Sequence, residues 1–255
     1  MLSPGPVNNT IYKKKICKIN LFKLKKLHIM SKNINTKLTK LIKYYSLINH
    51  NLIFNNKSIN RYNQKQPNIQ KDKAQSLKKL IEEIKDIKNC KLKESASNLV
   101  FSDGNPNSKV MIIGEGPGAN EDKEGFPFVG RAGQLLDKML NAINLNREKV
   151  YITNVVNFRP PENRKPTEKE VERYLPFLKR HIEIIKPKII LLLGSTAMNA
   201  ILGNTDVISK MRGKWHEFEI NNLKIYSMVS FHPAYLLRQP DQKKFSWIDL
   251  KMVRE

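Results

Sequence analysis

The segment GEGPGANEDKEGFPFVG at residues 114–130 carries residue types that could bind a ligand. Its glycines allow close backbone approach. It matches neither G-x-x-x-x-G-K-[ST] nor G-x-G-x-x-G, and its acids, Glu115 and Glu121 among them, would repel a phosphate. Phe126 and Phe128 instead favour a flat, uncharged ring as the ligand.

Two more polar side chains follow apolar runs farther along the chain. Asn154 lies near the end of the second run, and His232 precedes Pro233 after the last. Taken alone, each has an ordinary explanation, since Asn often caps a turn near a strand end and a lone His before Pro is usually a loop residue. The order of the three features gives them weight as a set.

Hydrophobic periodicity predicts the elements that would position these side chains. Strands are predicted at 109–114, 149–156, 188–193 and 224–230, and helices at 74–88, 130–143, 167–186, 195–202 and 241–254. Alternating strands and helices indicate an α/β fold, a three-layer α/β/α sandwich with a central, mainly parallel four-stranded sheet. The loops after its strands would converge at one edge and bring the three features together.

The net charge of +23 is concentrated at the start of the chain. Residues 1–80 contain 18 Lys and Arg but a single acid, Asp72. We interpret residues 1–73 as a basic, Lys- and Asn-rich extension, disordered or preceding a later start at Met30, and residues 74–255 as the functional domain. The alternative is a basic arm that adds non-specific affinity for nucleic acid.

The chain has two cysteines, no apolar run near the ~20 residues that span a bilayer, and no signal peptide pattern. These features predict a cytoplasmic protein without a disulfide framework.

Four motifs in order resemble the family 4 uracil-DNA glycosylases: GEGPGxxED, G-x-PFVGRAGxLL, YITNVVxxRPPxNRxPT and HPAYLLR. The resemblance runs from about residue 90 to the C-terminus. It implies a monomeric DNA repair glycosylase that flips uracil out of DNA, hydrolyses its N-glycosidic bond and leaves an abasic site for base excision repair.

The resemblance also implies roles for the base-binding residues. Phe128 would stack on the uracil ring, and the amide of Asn154 would bond uracil N3–H and O4. His232, as a neutral donor, would stabilise the negative charge that develops on O2. Cytosine presents the opposite pattern to Asn154 and would leave buried groups unpaired.

Carboxylates and backbone amides complete the implied site. A carboxylate would stabilise the cationic sugar and orient water, and we expect Glu121 in this role with Glu115 as the organiser of the loop. The backbone amides of Gly116 and Gly118 would line the pocket. On the DNA side, the resemblance implies a wedge and cationic contacts formed by Leu236, Leu237 and Arg238 after His-Pro, and phosphate contacts from Arg131, Arg159 and Arg164.

The cluster positions are the main departure from the family. Its members carry a four-iron four-sulfur cluster on four cysteines, and motif alignment places Cys90, Lys93, Phe158 and Tyr174 there. One thiolate cannot hold a cluster that needs four ligands. We therefore expect no cofactor, with packing in place of the cluster, unless these segments are misaligned.

Three other functions remain open from the sequence. The first is a DNA- or uracil-binding relative that has lost hydrolysis, against which the retained Glu121, Asn154 and His232 argue. The second is an unrelated nucleotide- or sugar-binding module, against which the absence of a phosphate loop argues. The third, a covalent uracil-trapping homologue, would need a histidine in a basic insertion, and the segment 162–166 has none.

Overall fold

The computed structural model describes residues 69–203, 206–221 and 223–254. Most of the predicted extension, residues 1–68, lies outside these ranges, so that prediction stays a prediction. No helix in the described ranges has the length and apolar composition that crossing a membrane requires.

The described residues form six strands and nine α-helices. The strands are β1 Asp103–Gly104, β2 Val110–Gly114, β3 Tyr151–Asn154, β4 Ile189–Leu193, β5 Trp215–Ile220 and β6 Leu223–Ser230. The helices are α1 Ile69–Lys85, α2 Lys91–Ser95, α3 Ala119–Glu124, α4 Arg131–Asn141, α5 Glu168–Ile185, α6 Ser195–Leu202, α7 Ile208–Met211, α8 Pro233–Arg238 and α9 Lys243–Arg254.

Within the described ranges the strands make one sheet in the order β1-β3-β2-β4-β6-β5. The four predicted strands are β3, β2, β4 and β6, which pair in parallel, so the predicted fold class is confirmed. The predicted strand count was too low, because β1 and β5 add antiparallel edges. β1 has only two residues, and β5 reads WHEFEI, so neither forms an apolar run.

Side chains alternate between the two faces of the central strands and build two cores. In β2, Met111 and Ile113 pack with α1, α5 and α6 on one face, whereas Ile112 packs with α4 and α9 on the other. The same alternation in β4 sends Leu192 to the first core and Leu191 to the second. Helices thus cover both faces of the sheet.

Local signals set the ends of several helices. α5 begins at Thr167, whose side chain accepts a hydrogen bond from the Glu170 N–H, while the Glu170 carboxylate accepts one from the Thr167 N–H. This capping box was predicted. α6 ends at Gly203, which has a φ of 61°. The HPAYLLR segment, predicted as a loop, forms α8 because His232 caps it and Pro233 occupies its first position.

The sheet order reverses between β2 and β4. The chain passes from β2 outward to β3 and then returns to β4 on the other side of β2. In open α/β sheets a ligand binds at such a switch point, outside the carboxyl ends of the strands. Gly114 ends β2 and Asn154 ends β3 side by side at this edge.

Candidate active site

A cavity of about 180 Å³ lies at this edge of the sheet. The loops that follow β2, β3 and β6 line it. It brings together all the residues predicted to be catalytic or to bind the base: Glu115, Gly116, Gly118, Glu121, Phe128, Asn154 and His232. These seven residues therefore share one site.

Close packing at Gly114 places an aromatic ring beside the amide. A Cβ atom on Gly114 would lie 2.5 Å from Cζ of Phe128 and 2.4 Å from Oδ1 of Asn154. Any larger residue would displace one of the two side chains. The Phe128 ring lies with its centroid 5.6 Å from that of His232.

Asn154 has a buried side-chain oxygen that is available to accept a hydrogen bond from a ligand. Its side chain is only 3% exposed, and its Oδ1 atom has no hydrogen-bond partner among the described residues. Leaving a buried acceptor unpaired costs about 1–3 kcal/mol, so such atoms are rare without a purpose. A ligand N–H in the cavity would satisfy it.

His232 is neutral, with its proton on the nitrogen that does not cap α8. Nδ1 accepts a hydrogen bond from the Ala234 N–H at 3.2 Å, so in the neutral ring the proton is on Nε2. Burial and the nearby Arg238 lower the pKa of His232 to about 4, against the opposing effect of Glu121. The site thus presents a neutral N–H donor at physiological pH.

The two carboxylates differ in their partners. Glu121 ties the loop together, because its Oε2 accepts from the Gly118 N–H at 3.1 Å and its Oε1 from the Gly130 N–H at 2.8 Å. Glu115 accepts a hydrogen bond from the hydroxyl of Thr196 through Oε2 alone. The hydrogen bonds therefore favour Glu121 as the loop organiser and Glu115 as the reactive carboxylate, the reverse of our expectation.

The structure adds two residues that sequence reasoning missed. Asn163 lines the cavity and has a φ of 57°, which is uncommon outside glycine. Thr196 follows β4 and holds Glu115. Thr196 lies three residues after the end of β4, so the strand-end rule that singled out Asn154 could have found it. Asn163 lies inside the RPPxNRxPT motif, nine residues beyond the end of β3, where that rule does not apply.

The predicted phosphate-binding arginines have different environments. Arg131 lies exposed at the start of α4. Arg159 donates from Nε to Oδ1 of Asn163 at 2.8 Å. Arg164 is paired through both terminal nitrogens with the carboxylate of Glu170, at 2.8 and 2.7 Å. Of these three arginines, Arg164 alone forms an ion pair with a described residue.

The predicted wedge needs one correction. Leu236 is completely buried in the core between α4 and α9, so it cannot enter a duplex while α8 is folded. Leu237, by contrast, is 37% exposed, and Arg238 is exposed beside it. Successive side chains of a helix point in different directions, so α8 buries Leu236 and exposes Leu237 and Arg238.

The pocket at the switch point of this parallel sheet combines an aromatic ring, an unpaired buried amide oxygen and a neutral imidazole, a chemistry suited to a flat, uncharged heterocycle. The family model of the uracil DNA glycosylase superfamily matches residues 101–251. The chain belongs to this superfamily, and within it to the type-4 uracil-DNA glycosylases, as the following similarities establish.

The chain is 43% identical over 185 residues to the type-4 uracil-DNA glycosylase of Sulfurisphaera tokodaii, covering 71% of this chain and 84% of that protein. It is 40% identical over 185 residues to the type-4 enzyme of Archaeoglobus fulgidus, covering 71% and 93%. The type-4 enzyme of Thermotoga maritima is 43% identical over 158 residues, covering 62% and 81%.

The residues at the predicted cluster positions do not fit an iron–sulfur cluster. Cys90 is buried, and its Sγ lies 3.3 Å from the Tyr174 hydroxyl. Phe158 and Tyr174 are buried in the core, and the Lys93 ammonium donates to the backbone carbonyls of Lys85 and Ile87. A phenyl ring, a phenol and an ammonium group do not replace three thiolates.

Proposed function

We propose that this chain hydrolyses the N-glycosidic bond of uracil in DNA and leaves an abasic site for base excision repair. The observation that carries the proposal is the buried, unpaired Oδ1 of Asn154, set beside Phe128 and His232. The names of the type-4 relatives support DNA as the substrate and uracil as the base.

Base recognition would combine stacking with hydrogen bonds. The flipped uracil stacks on Phe128, a contact that contributes ~1–3 kcal/mol and needs no polar partner. Oδ1 of Asn154 accepts from uracil N3–H, and its NH₂ donates to O4. Cytosine presents an acceptor at N3 and a donor at N4, so both bonds would be lost and buried groups left unpaired.

Bond cleavage would depend on His232 and one carboxylate. As the bond between C1′ and N1 breaks, its electron pair moves onto uracil, and the Nε2–H of His232 donates to O2, where negative charge grows. The sugar becomes cationic at the same moment. Glu115 would stabilise that cation and would orient the water whose oxygen bonds to C1′, while a proton from that water passes to the departing base.

The proposal extends to three finer points. The enzyme acts as a monomer, since one chain supplies every residue predicted to be catalytic or to bind the base. It works in the cytoplasm, in keeping with its two cysteines and no disulfide framework. It carries no iron–sulfur cluster, because three of the four expected ligands are absent.

A gel assay tests the proposed activity. The full-length chain is incubated with end-labelled oligonucleotides that contain one uracil, single- or double-stranded, and alkali then breaks any abasic site. Cleavage at the uracil that persists in excess chelator is expected, with no cleavage of matched cytosine or thymine oligonucleotides. A well-folded chain that is inactive on both uracil substrates would instead be a binding relative without hydrolysis.

A further inference from the structure

The backbone of Phe128 adopts an unusual conformation. Its φ is 57°, in the left-handed region that a bulky residue rarely enters, and its side chain is 5% exposed. Such a conformation persists only where the surroundings hold it, and such residues concentrate at functional sites. Neighbouring groups must therefore hold the backbone of Phe128 in the conformation that directs its ring toward Gly114 and the cavity.

Arg147 contacts this backbone directly. Its guanidinium donates to the carbonyl oxygen of Phe128, and to that of Pro127 at 3.1 Å. The same group pairs with Asp103 at 2.7 Å and Asp137 at 2.9 Å. One planar group thus joins the loop before α4, the helix itself and the edge strand β1.

Gly133, in α4, packs directly against the Phe128 carbonyl that Arg147 contacts. A Cβ on this residue of α4 would lie 1.6 Å from the Phe128 carbonyl oxygen. No side chain fits between α4 and the loop, so the Phe128 carbonyl is enclosed between the helix backbone and the Arg147 guanidinium.

We propose that Arg147 is a positioning residue for base recognition, which acts by holding Phe128 in the orientation that stacks on the flipped base. The inference rests on the proposed function. The two aspartates neutralise its charge, so charge alone does not explain the choice of residue. Lysine could pair with an aspartate, but its single nitrogen cannot present the fixed fork that reaches two carboxylates and two carbonyls together.

Inhibition by free uracil tests this role, because uracil enters the cavity without the contacts that DNA makes elsewhere. Inhibition constants are measured on the full-length wild type, on Arg147→Lys and on Arg180→Lys, at temperatures well below each melting transition. Arg180 is the matched control, since its guanidinium also binds a carboxylate, Glu83, but lies away from the cavity.

Arg147→Lys should weaken uracil inhibition by roughly tenfold, within the range for loss of base–aromatic stacking, while Arg180→Lys leaves it unchanged. A purely structural role for Arg147 would lower the melting temperature and leave the inhibition constant of the folded protein unchanged. An inhibition constant for Arg147→Lys equal to that of the wild type overturns the inference. Inactivity of the wild type on uracil DNA overturns the proposed function instead, and the inference with it.

A double-mutant cycle gives a second readout. If Arg147 acts through Phe128, Arg147→Lys should slow single-turnover cleavage in the wild type but not in Phe128→Ala. Equal slowing in both backgrounds would contradict the proposal. Should Arg147→Lys not fold, Asp103→Asn and Asp137→Asn each remove a carboxylate that holds the Arg147 guanidinium, and each should weaken uracil inhibition. An unchanged inhibition constant in both variants also counts against the inference.

Discussion

The Nδ1 atom of His232 accepts a hydrogen bond from the backbone N–H of Ala234, two residues along the chain. This bond caps α8 and fixes the tautomer of the ring in the same step. The proton of the neutral imidazole is consequently on Nε2, the only ring nitrogen left to donate. A single local contact thus joins the fold of the HPAYLLR segment to its proposed chemistry.

Replacing His232 should affect the rate much more than binding. His232→Ala should lower single-turnover cleavage by roughly 10²–10³, the usual effect of removing one preorganised donor at a developing anion. Affinity for uracil DNA should change little, because the bond strengthens mainly in the transition state. His216→Ala, on β5, serves as the control and should cleave normally. Normal cleavage by His232→Ala would refute the assigned role.

Asn154→Ala should weaken discrimination between bases as well as the rate. The preference for uracil over cytosine should fall by roughly tenfold or more, since a site that hydrogen-bonds its substrate discriminates through those bonds. The rates of cleavage of the uracil and the cytosine oligonucleotide under single-turnover conditions give the ratio that measures this preference. Asn157→Ala removes a buried amide that bonds Val100 instead, and it should leave the ratio intact. An unchanged ratio in Asn154→Ala would exclude edge reading by this residue.

The arginines near the site should differ in their contribution to DNA binding. Arg238 is exposed and has no ion pair among the described residues, whereas Arg164 is held bidentately by Glu170. Arg238→Ala should therefore make the dependence of log K on log salt shallower by about 0.9, the value for one lost phosphate contact to a duplex. Arg164→Ala should change it less. Titrations of an abasic duplex at several salt concentrations provide the slopes, and the reverse order would be inconsistent with the pairing.

The purified chain should contain no stoichiometric iron or acid-labile sulfide. Only Cys90 of the four matched positions is a thiol, and its contact with Tyr174 lies inside the core. Tyr174→Phe should lower the free energy of unfolding by about 0.5–1.5 kcal/mol, as expected for one lost hydrogen bond. Cys90→Ser is the control for metal content and should match the wild type. Iron and sulfide at cluster stoichiometry would show that the motif alignment is wrong.

The sequence predicts well those parts of the fold that local patterns encode. The four parallel strands are apolar runs. The Thr167 capping box starts α5 and Gly203 ends α6, both through contacts within a few residues. The edge strands β1 and β5 depend on pairing with a neighbour and have no such pattern of their own. The two helices near the site that were not predicted, α3 and α8, have six residues each and depend on tertiary packing.

The residues of the candidate site follow the same division. Their presence at one sheet edge follows from strand order, which the motifs reveal. The different hydrogen-bond partners of Glu115 and Glu121 do not, because they depend on which backbone amides and hydroxyls each carboxylate meets after folding. The burial of Leu236 likewise arises only when α8 packs on α4 and α9, and the contact of Arg147 with Phe128 only when the turn after α4 meets the loop before it.

Stability should fall as the pH drops below about 6.5, and His181 should be one cause. Its side chain is 2% exposed, stacks on Phe101 and lies 2.7 Å from the Tyr151 hydroxyl through Nε2. Burial lowers the pKa of His181 to about 3, so the folded protein keeps this ring neutral.

In the unfolded chain His181 should titrate near its ordinary pKa of about 6.5. The unfolded state therefore binds the extra proton below that pH, and the stabilisation is fully present above it and lost as the pH falls toward 3. The loss approaches about 1.4 kcal/mol per pH unit for each such histidine, and His232, with its pKa lowered to about 4, adds a second.

Urea unfolding between about pH 5 and 7 measures the slope, in a range where most carboxylates stay ionised. His181→Gln cannot titrate, so its slope should be smaller by up to about 1.4 kcal/mol per pH unit, the contribution of one proton, even if the variant is less stable at every pH. Equal slopes in the wild type and His181→Gln would mean that the ring protonates without unfolding the protein.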